Sequence, residues 1–356
     1  MKSSGRAARA LLLVWLTLGL LAVGCRRAQD DGARPGAANS AAPSVVAPGS
    51  AAPLGSATSS PSTEAGHPPA ASRDRGLFFV VESDSATAYL LGSIHVGNRE
   101  LYPLNATIEN AFRQSDTLVL EVHLGPTGQF QAAQQLVAAG SYPPGDSLDR
   151  HISPELMRRV RAKMTGLSAL LLPPERMRPW FAGLMVVMQE LKRLGFDPEQ
   201  GIDRHFEKRA TGQKRILGIE THEEQIALFT GLSQPVQVLM LKESLDELGS
   251  LQQTMDRALG AWKRGDGDAL GELLLETVRQ PEYQRLYKRI YLDRNQRMAK
   301  AIEGYLATRG KYFVVVGSGH LIGKRGIVSL LRSKGHRVVQ PEAPPPRAPG
   351  AASAQP

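Results

Sequence analysis

The sequence predicts an α/β fold with a mixed, largely parallel sheet and a large helical middle section. Short apolar runs rich in Val, Leu and aromatics lie near both ends of the span 76–340. Runs of that length and composition read as strands buried on both faces. Between them the apolar spacing is helical. Two of the strand candidates also end alike. Ala88-Tyr89-Leu90-Leu91 runs into Gly92-Ser93-Ile94-His95, and Phe313-Val314-Val315-Val316 runs into Gly317-Ser318-Gly319-His320.

Taken in order, residues 77–81 and 88–94 form a predicted hairpin across the polar turn Glu82-Ser83-Asp84-Ser85. Asn105 can cap a helix running to about Gln114, and residues 117–122 follow as a buried strand. A strand-helix-strand order of this kind implies a parallel crossover pair. Ser153-Pro154-Glu155 is a helix start, and residues 174–194 read as one long apolar helix closed by Gly195. The Met and aromatic stripe on it reads as core. Residues 215–219 form a further strand, and Thr221 with Glu224 has the spacing of a capping box. Helical spacing continues over 235–264 and from 268 to about 309. A strand at 312–316, a helix at 326–333 and a short strand at 336–339 close the chain.

The ends have a different character. Residues 1–24 read as an export signal, with Lys2, Arg6 and Arg9 ahead of an apolar stretch. That stretch is shorter than the roughly 20 apolar residues a membrane span needs. Cys25 is the only cysteine, so no disulfide can form within the chain. Its place after Leu21-Ala22-Val23-Gly24 resembles a lipobox, which implies lipidation of Cys25 and attachment to a bacterial cell envelope. Arg26 in place of the aspartate that retains lipoproteins favours the outer over the inner membrane. From Cys25 to residue 75 the Ala/Pro/Ser-rich composition predicts a disordered tether, and residues 341–356 a second tail. The net charge of +9 falls to +6 once the three basic residues of the signal are removed. With no dense basic run interleaved with aromatics, nucleic acid is not an expected partner.

Two histidines delivered to strand carboxyl ends stand where open α/β sheets collect ligands. Neutral imidazole is also the commonest metal ligand among side chains. Glu121, at the end of a run that should be buried, is costly there unless paired, protonated or metal-bound. Glu220 repeats this position after Ile216-Leu217-Gly218-Ile219. It reads either as a helix-start acid or as a general base. Arg294 lies within a predicted helix and has no status from sequence alone. His222-Glu223-Glu224-Gln225-Ile226 lacks the second histidine of a zinc-protease helix. No Walker loop and no Gly-x-Ser-x-Gly elbow occurs.

The ordered set Leu91-Gly92-Ser93-Ile94-His95-Val96-Gly97, Leu120-Glu121-Val122, Gly201-Ile202-Asp203, Gly218-Ile219-Glu220-Thr221, Asp293-Arg294-Asn295 and Gly317-Ser318-Gly319-His320 resembles the TraB/GumN family, which includes the Tiki proteins. That resemblance implies an α/β domain over 76–340 with His95, Glu121 and His320 around a divalent ion, and Arg294 near it. It implies a peptidase favouring Mn²⁺ or Co²⁺ and acting on a peptide or protein; two imidazoles and a carboxylate with open positions would by themselves suit Zn²⁺, Mn²⁺, Fe²⁺ or Co²⁺. The expectation is therefore an envelope-anchored metal-dependent hydrolase, its catalytic residues Glu121, Glu220 and Arg294, set in a cleft that solvent reaches. A non-catalytic lipoprotein binding metal, haem or peptide is the alternative.

Overall fold

The computed structural model describes residues 74–165, 172–275 and 281–342. The expected export signal, Cys25, nearly all of the tether and all but the start of the tail lie outside the described residues.

Among the described residues six strands form one sheet: β1 (Phe78–Glu82), β2 (Ala86–Ser93), β3 (Thr117–Leu120), β4 (Arg215–Gly218), β5 (Gly310–Gly317) and β6 (Val338–Val339). Their order is β4-β3-β5-β2-β1-β6. The pairs β4-β3, β3-β5 and β5-β2 are parallel, whereas β1 is antiparallel to both β2 and β6. The sheet is thus mixed and largely parallel. The hairpin is closed as expected, with Ser83 N donating to Ala86 O at 2.9 Å.

One pairing differs from expectation. The strand carrying Glu121 is not beside the strand ending at His95, because β5 inserts between them. The crossover from β2 to β3 therefore skips a place. β5 is suited to that slot, since Phe313 through Val316 are fully buried and need neighbours on both edges and both faces. Edge strand β4 is partly exposed, and β6 is only two residues long.

Among the described residues there are thirteen α-helices. The crossover helix α1 (Ala106–Gln114) begins at Asn105, whose side chain accepts from Thr107 N. Between β3 and β4 come α2 (Gly125–Gly140), α3 (Pro154–Lys163), α4 (Pro179–Arg193) and α5 (Ile202–Ala210). Between β4 and β5 lie α6 (His222–Thr230), α7 (Gln234–Glu247), α8 (Leu251–Arg264), α9 (Gly267–Leu275), α10 (Pro281–Tyr287) and α11 (Asp293–Leu306). The short α12 (Ser318–Leu321) and α13 (Ile327–Ser333) finish the chain. The helix expected to start at residue 174 starts at Pro179, after a separate 3₁₀ turn at Pro174–Arg176. The cause is Pro179 itself, which disfavours helical geometry at the residue before it; Arg178 is extended, with φ −67° and ψ 154°.

Helices cover both faces of the sheet. Phe112 of α1, Phe206 of α5 and Phe313 of β5 form an aromatic triangle on one face, with centroids 4.7 to 5.4 Å apart. Each buried ring contributes about 1.5–3 kcal/mol. On the other face α11 packs over β2 and α13. The middle section packs α4 along α7, with Trp180 stacked on Phe229 of α6 at 5.2 Å. Arg75 donates to Gln340 O and Pro341 O at 2.9 and 2.8 Å, tying the two ends of the folded region together.

Candidate metal and catalytic centre

The sheet order makes the two Gly-x-x-His segments neighbours. β2 and β5 pair in parallel with Ser93 opposite Gly317, so both chains leave the sheet side by side. The first continues as a loop through His95, and the second turns at once into α12, which carries His320. Ser318 Oγ donates to Ser93 O at 3.0 Å, and Trp262 Nε1 donates to Gly92 O at 2.6 Å, fixing the two exits.

The acids arrive from the next strands along. Glu121 follows β3 and Glu220 follows β4, and Glu220 N donates to Glu121 O at 2.8 Å, extending the pairing past the strand ends. Glu121 Oε1 accepts from Gly317 N at 2.6 Å. That same oxygen lies 3.9 Å from His95 Nε2 and 3.7 Å from His320 Nε2. Glu121 Oε2 accepts from Arg294 Nη2 at 2.6 Å and from Gln225 Nε2 at 3.1 Å.

Arg294, on α11, is 1% exposed and joins the two acids. Its Nη2 donates to Glu220 Oε2 at 2.7 Å, and its Nε to Glu220 Oε1 at 2.9 Å. Its Nη1 donates to Ile290 O at 3.2 Å, in a π-helical turn at Lys288–Leu292. Burial opposes its charge, but Glu121 and Glu220 together hold its pKa above the ordinary value. Burial likewise pushes the Glu220 carboxyl up, and Arg294 and Arg297 outweigh it, leaving the group below its ordinary range. His320 is kept neutral: burial, then Arg294, then His95 hold its pKa well below the usual 6.5.

All five residues expected at the site, His95, Glu121, Glu220, Arg294 and His320, come together. Cys25 lies outside the described residues. The expectation of a solvent-reached cleft is not met, since none of the five is more than 6% exposed. Gln225 and Arg294 cover Glu121, and the Tyr291 ring sits 5.4 Å from that of His320. Arg297, 53% exposed, donates to Glu220 Oε1 at 3.1 Å and links the cluster to the surface.

Sequence reasoning missed two partners. His95 Nδ1 faces Asp203 Oδ1 at 3.0 Å, and His320 Nδ1 faces Asn295 Oδ1 at 2.6 Å. Asp203 stands in the first turn of α5, where an acid ordinarily serves the helix dipole. Asn295 sits inside a helix. Only the tertiary fold shows what either meets.

As placed, no group of three His, Cys, Asp or Glu among the described residues is drawn close enough to hold a metal ion. The donor set nevertheless suits one. His320 Nε2 is buried without a hydrogen-bond partner, and it faces a carboxylate oxygen that His95 Nε2 also faces. Ligand atoms each about 2.1 Å from one tetrahedral ion stand roughly 3.4 Å apart. The 3.7 and 3.9 Å separations are within about half an ångström of that.

An α/β sheet with paired strand-end histidines, an acid between them and an arginine behind it defines the class of protein. The TraB/PrgY/gumN family model matches residues 77–340, and the chain belongs to that family. It is 22% identical over 247 residues to the protein YbaP of Escherichia coli (strain K12), covering 68% of this chain and 87% of that one. It is 23% identical over 276 residues to a protein of Treponema pallidum (strain Nichols), covering 72% of this chain and 80% of that one. A protein of Amphimedon queenslandica described as "Metalloprotease TIKI homolog" is 24% identical over 308 residues, 71% of this chain and 59% of that one. No solved structure matches the chain.

Proposed function

We propose that this chain is a metal-dependent hydrolase of peptide bonds, with a divalent ion (Mn²⁺, Co²⁺ or Zn²⁺) held by His95, Glu121 and His320. The observation that carries the reading is the convergence of both Nε2 atoms on Glu121 Oε1, 3.9 and 3.7 Å away. Family membership and the name of the Amphimedon relative support the reaction class. When bound, such an ion supplies Lewis-acid polarisation of a carbonyl and acidifies water.

The chain's own residues divide the remaining work. Glu121 faces the imidazoles and is the ligand. Glu220 faces the arginines and is the proton acceptor, at the cost of a pKa below its ordinary range. Its contact with half-exposed Arg297 is the one an incoming substrate exchanges. Arg294 already donates to Glu121, Glu220 and Ile290 O, so it acts through the fixed positive charge it places beside developing negative charge.

The test is metal content and peptidase activity of the purified protein on a mixed peptide library with each ion. Activity should vanish on chelation and in His95→Ala or His320→Ala. Full activity after chelation, or in His95→Ala, refutes the mechanism.

The burial of all five side chains favours a second reading, in which the centre holds a metal ion, haem or a peptide without turnover. It requires stoichiometric binding with no hydrolysis across the same library. In either case we place the protein at the bacterial cell envelope, anchored by lipid on Cys25, with the outer membrane favoured. No helix among the described residues is long and apolar enough to cross a membrane. Cys25→Ser should release the protein from the membrane fraction, and unchanged fractionation refutes the anchor.

A further inference from the structure

The two histidines are held from behind by different chemistry, and the difference has a consequence. Asn295 Nδ2 donates to Arg325 O at 2.9 Å, and a carbonyl can only accept. That fixes the amide orientation, so Asn295 Oδ1 faces His320 and the ring must donate from Nδ1. Asp203 settles the other ring in the same way, because the oxygen it turns toward His95 accepts and the ring nitrogen facing it must donate. Its Oδ1 already accepts from the Ser93 hydroxyl at 2.8 Å, so the oxygen 3.0 Å from His95 Nδ1 is an acceptor.

Asp203 is delivered to His95 by a close backbone approach. Segment 197–203 lies against 93–97 through Gly97 N to Asp197 O at 3.0 Å, Asp197 N to Gly97 O at 2.8 Å, and Ile202 N to Ile94 O at 3.2 Å. A Cβ on Gly97 would stand 2.3 Å from Gln200 O, and one on Gly201 would stand 2.4 Å from His95 O. Only glycine at both positions lets the segments meet so closely. Ser93, within the first Gly-x-x-His segment, then completes the grip: its hydroxyl donates to Asp203 Oδ1 at 2.8 Å and accepts from Asp203 N at 3.3 Å.

We infer that Asp203 and Asn295 are positioning residues that hold both imidazoles as the Nδ1–H tautomer, and that the charge on Asp203 makes His95 the stronger electron-pair donor of the two. Both Nε2 lone pairs are thereby aimed inward, at the point Glu121 Oε1 shares with them. Partners of this kind raise ligand basicity and fix ring orientation at metal sites. The donor ranking rests on the proposed metal-holding role; the tautomers do not.

The experiment uses the purified protein labelled with ¹⁵N at histidine. Long-range ¹⁵N–¹H spectra of the metal-free native protein should show His95 and His320 both protonated on Nδ1 with a pyridine-like Nε2. In Asp203→Ala the His95 pattern should be lost while His320 is unchanged, and Asn295→Ala should do the converse. An Nε2–H tautomer at either ring in the native protein overturns the assignment, with no variant needed. Unchanged spectra in folded Asp203→Ala overturn it too. Titration with Co²⁺ then tests the ranking. Asp203→Asn, which keeps shape and acceptor but loses charge, should weaken binding about tenfold, at the lower end of the 10–100-fold effects of such partners. Equal Co²⁺ affinity in Asp203→Asn and native protein removes the ranking. A native protein that takes up no Co²⁺ sinks the metal reading, whereas the ring spectra still decide for or against Asp203 and Asn295.

Discussion

Arg294→Met isolates the electrostatic logic of the centre. The arginine is 1% exposed and is the buried cation between two buried carboxylates, Glu121 and Glu220. Glu220 keeps Arg297 at 3.1 Å after the substitution, so Glu121 is the group stripped of its charge partner. It retains only Gly317 N and Gln225 Nε2 as donors. Removing one member of a buried ion pair costs about 3–5 kcal/mol. For a domain of this size each kcal/mol lowers the melting temperature by roughly 2–4 °C, which gives a drop of about 6–20 °C. Circular dichroism melts at pH 7.5 without added metal measure it directly. Arg294→Met combined with Glu121→Gln and Glu220→Gln should recover most of the stability, since no stranded charge remains. A loss under about 1 kcal/mol at pH 7.5 refutes the account of Arg294 as a compensating charge.

Other outcomes follow from the same geometry. Gly201→Ala forces a Cβ to 2.4 Å from His95 O, so backbone must shift at a cost of about 1–3 kcal/mol; an unchanged melt means the segments are not clamped. Trp262→Phe deletes the donor to Gly92 O and strands a buried carbonyl, costing about 1–3 kcal/mol in urea unfolding, and a neutral effect contradicts the bond at 2.6 Å. Stability should fall as pH drops below about 6.5, where the unfolded chain takes up a proton that buried His320 refuses. The stabilisation from Glu220, present above about 4.5, is lost as pH falls further through its depressed folded pKa. A urea midpoint that rises between pH 7 and pH 5 would reverse that sign and exclude His320 as a contributor, and one that does not fall below about pH 4.5 would exclude Glu220.

What was legible in the sequence is what local chemistry decides. Asn105, Ser153 and the Thr221/Glu224 capping box start their helices as read, because each satisfies orphan N–H groups within a few residues of itself. The hairpin was legible for the same reason. Position within the sheet was not: nothing in Phe313 through Val316 says that the strand belongs between β2 and β3, since any doubly covered slot would suit it. At the site, the histidines and acids announced themselves by ending apolar runs. Asp203 and Asn295 gave no such sign, because each sits in a helix where its residue type is ordinary, and its partner lies over a hundred residues away or in the following strand-helix unit. Arg294 was named only by resemblance; its role appears when two distant strand ends place acids on either side of it.

The late arrival of β5 also governs how the molecule is made. Until residues 310–317 have been synthesised, β2 and β3 flank a vacant central slot, each with an open edge of unpaired amides and carbonyls. A chain cut short before that point carries His95 and Glu121 but lacks His320, and it presents those sticky edges to proteases and to other copies of itself. Assembly of the His95, Glu121 and His320 cluster and concealment of the edges are one event, so a nascent or truncated product cannot be both incomplete and well hidden.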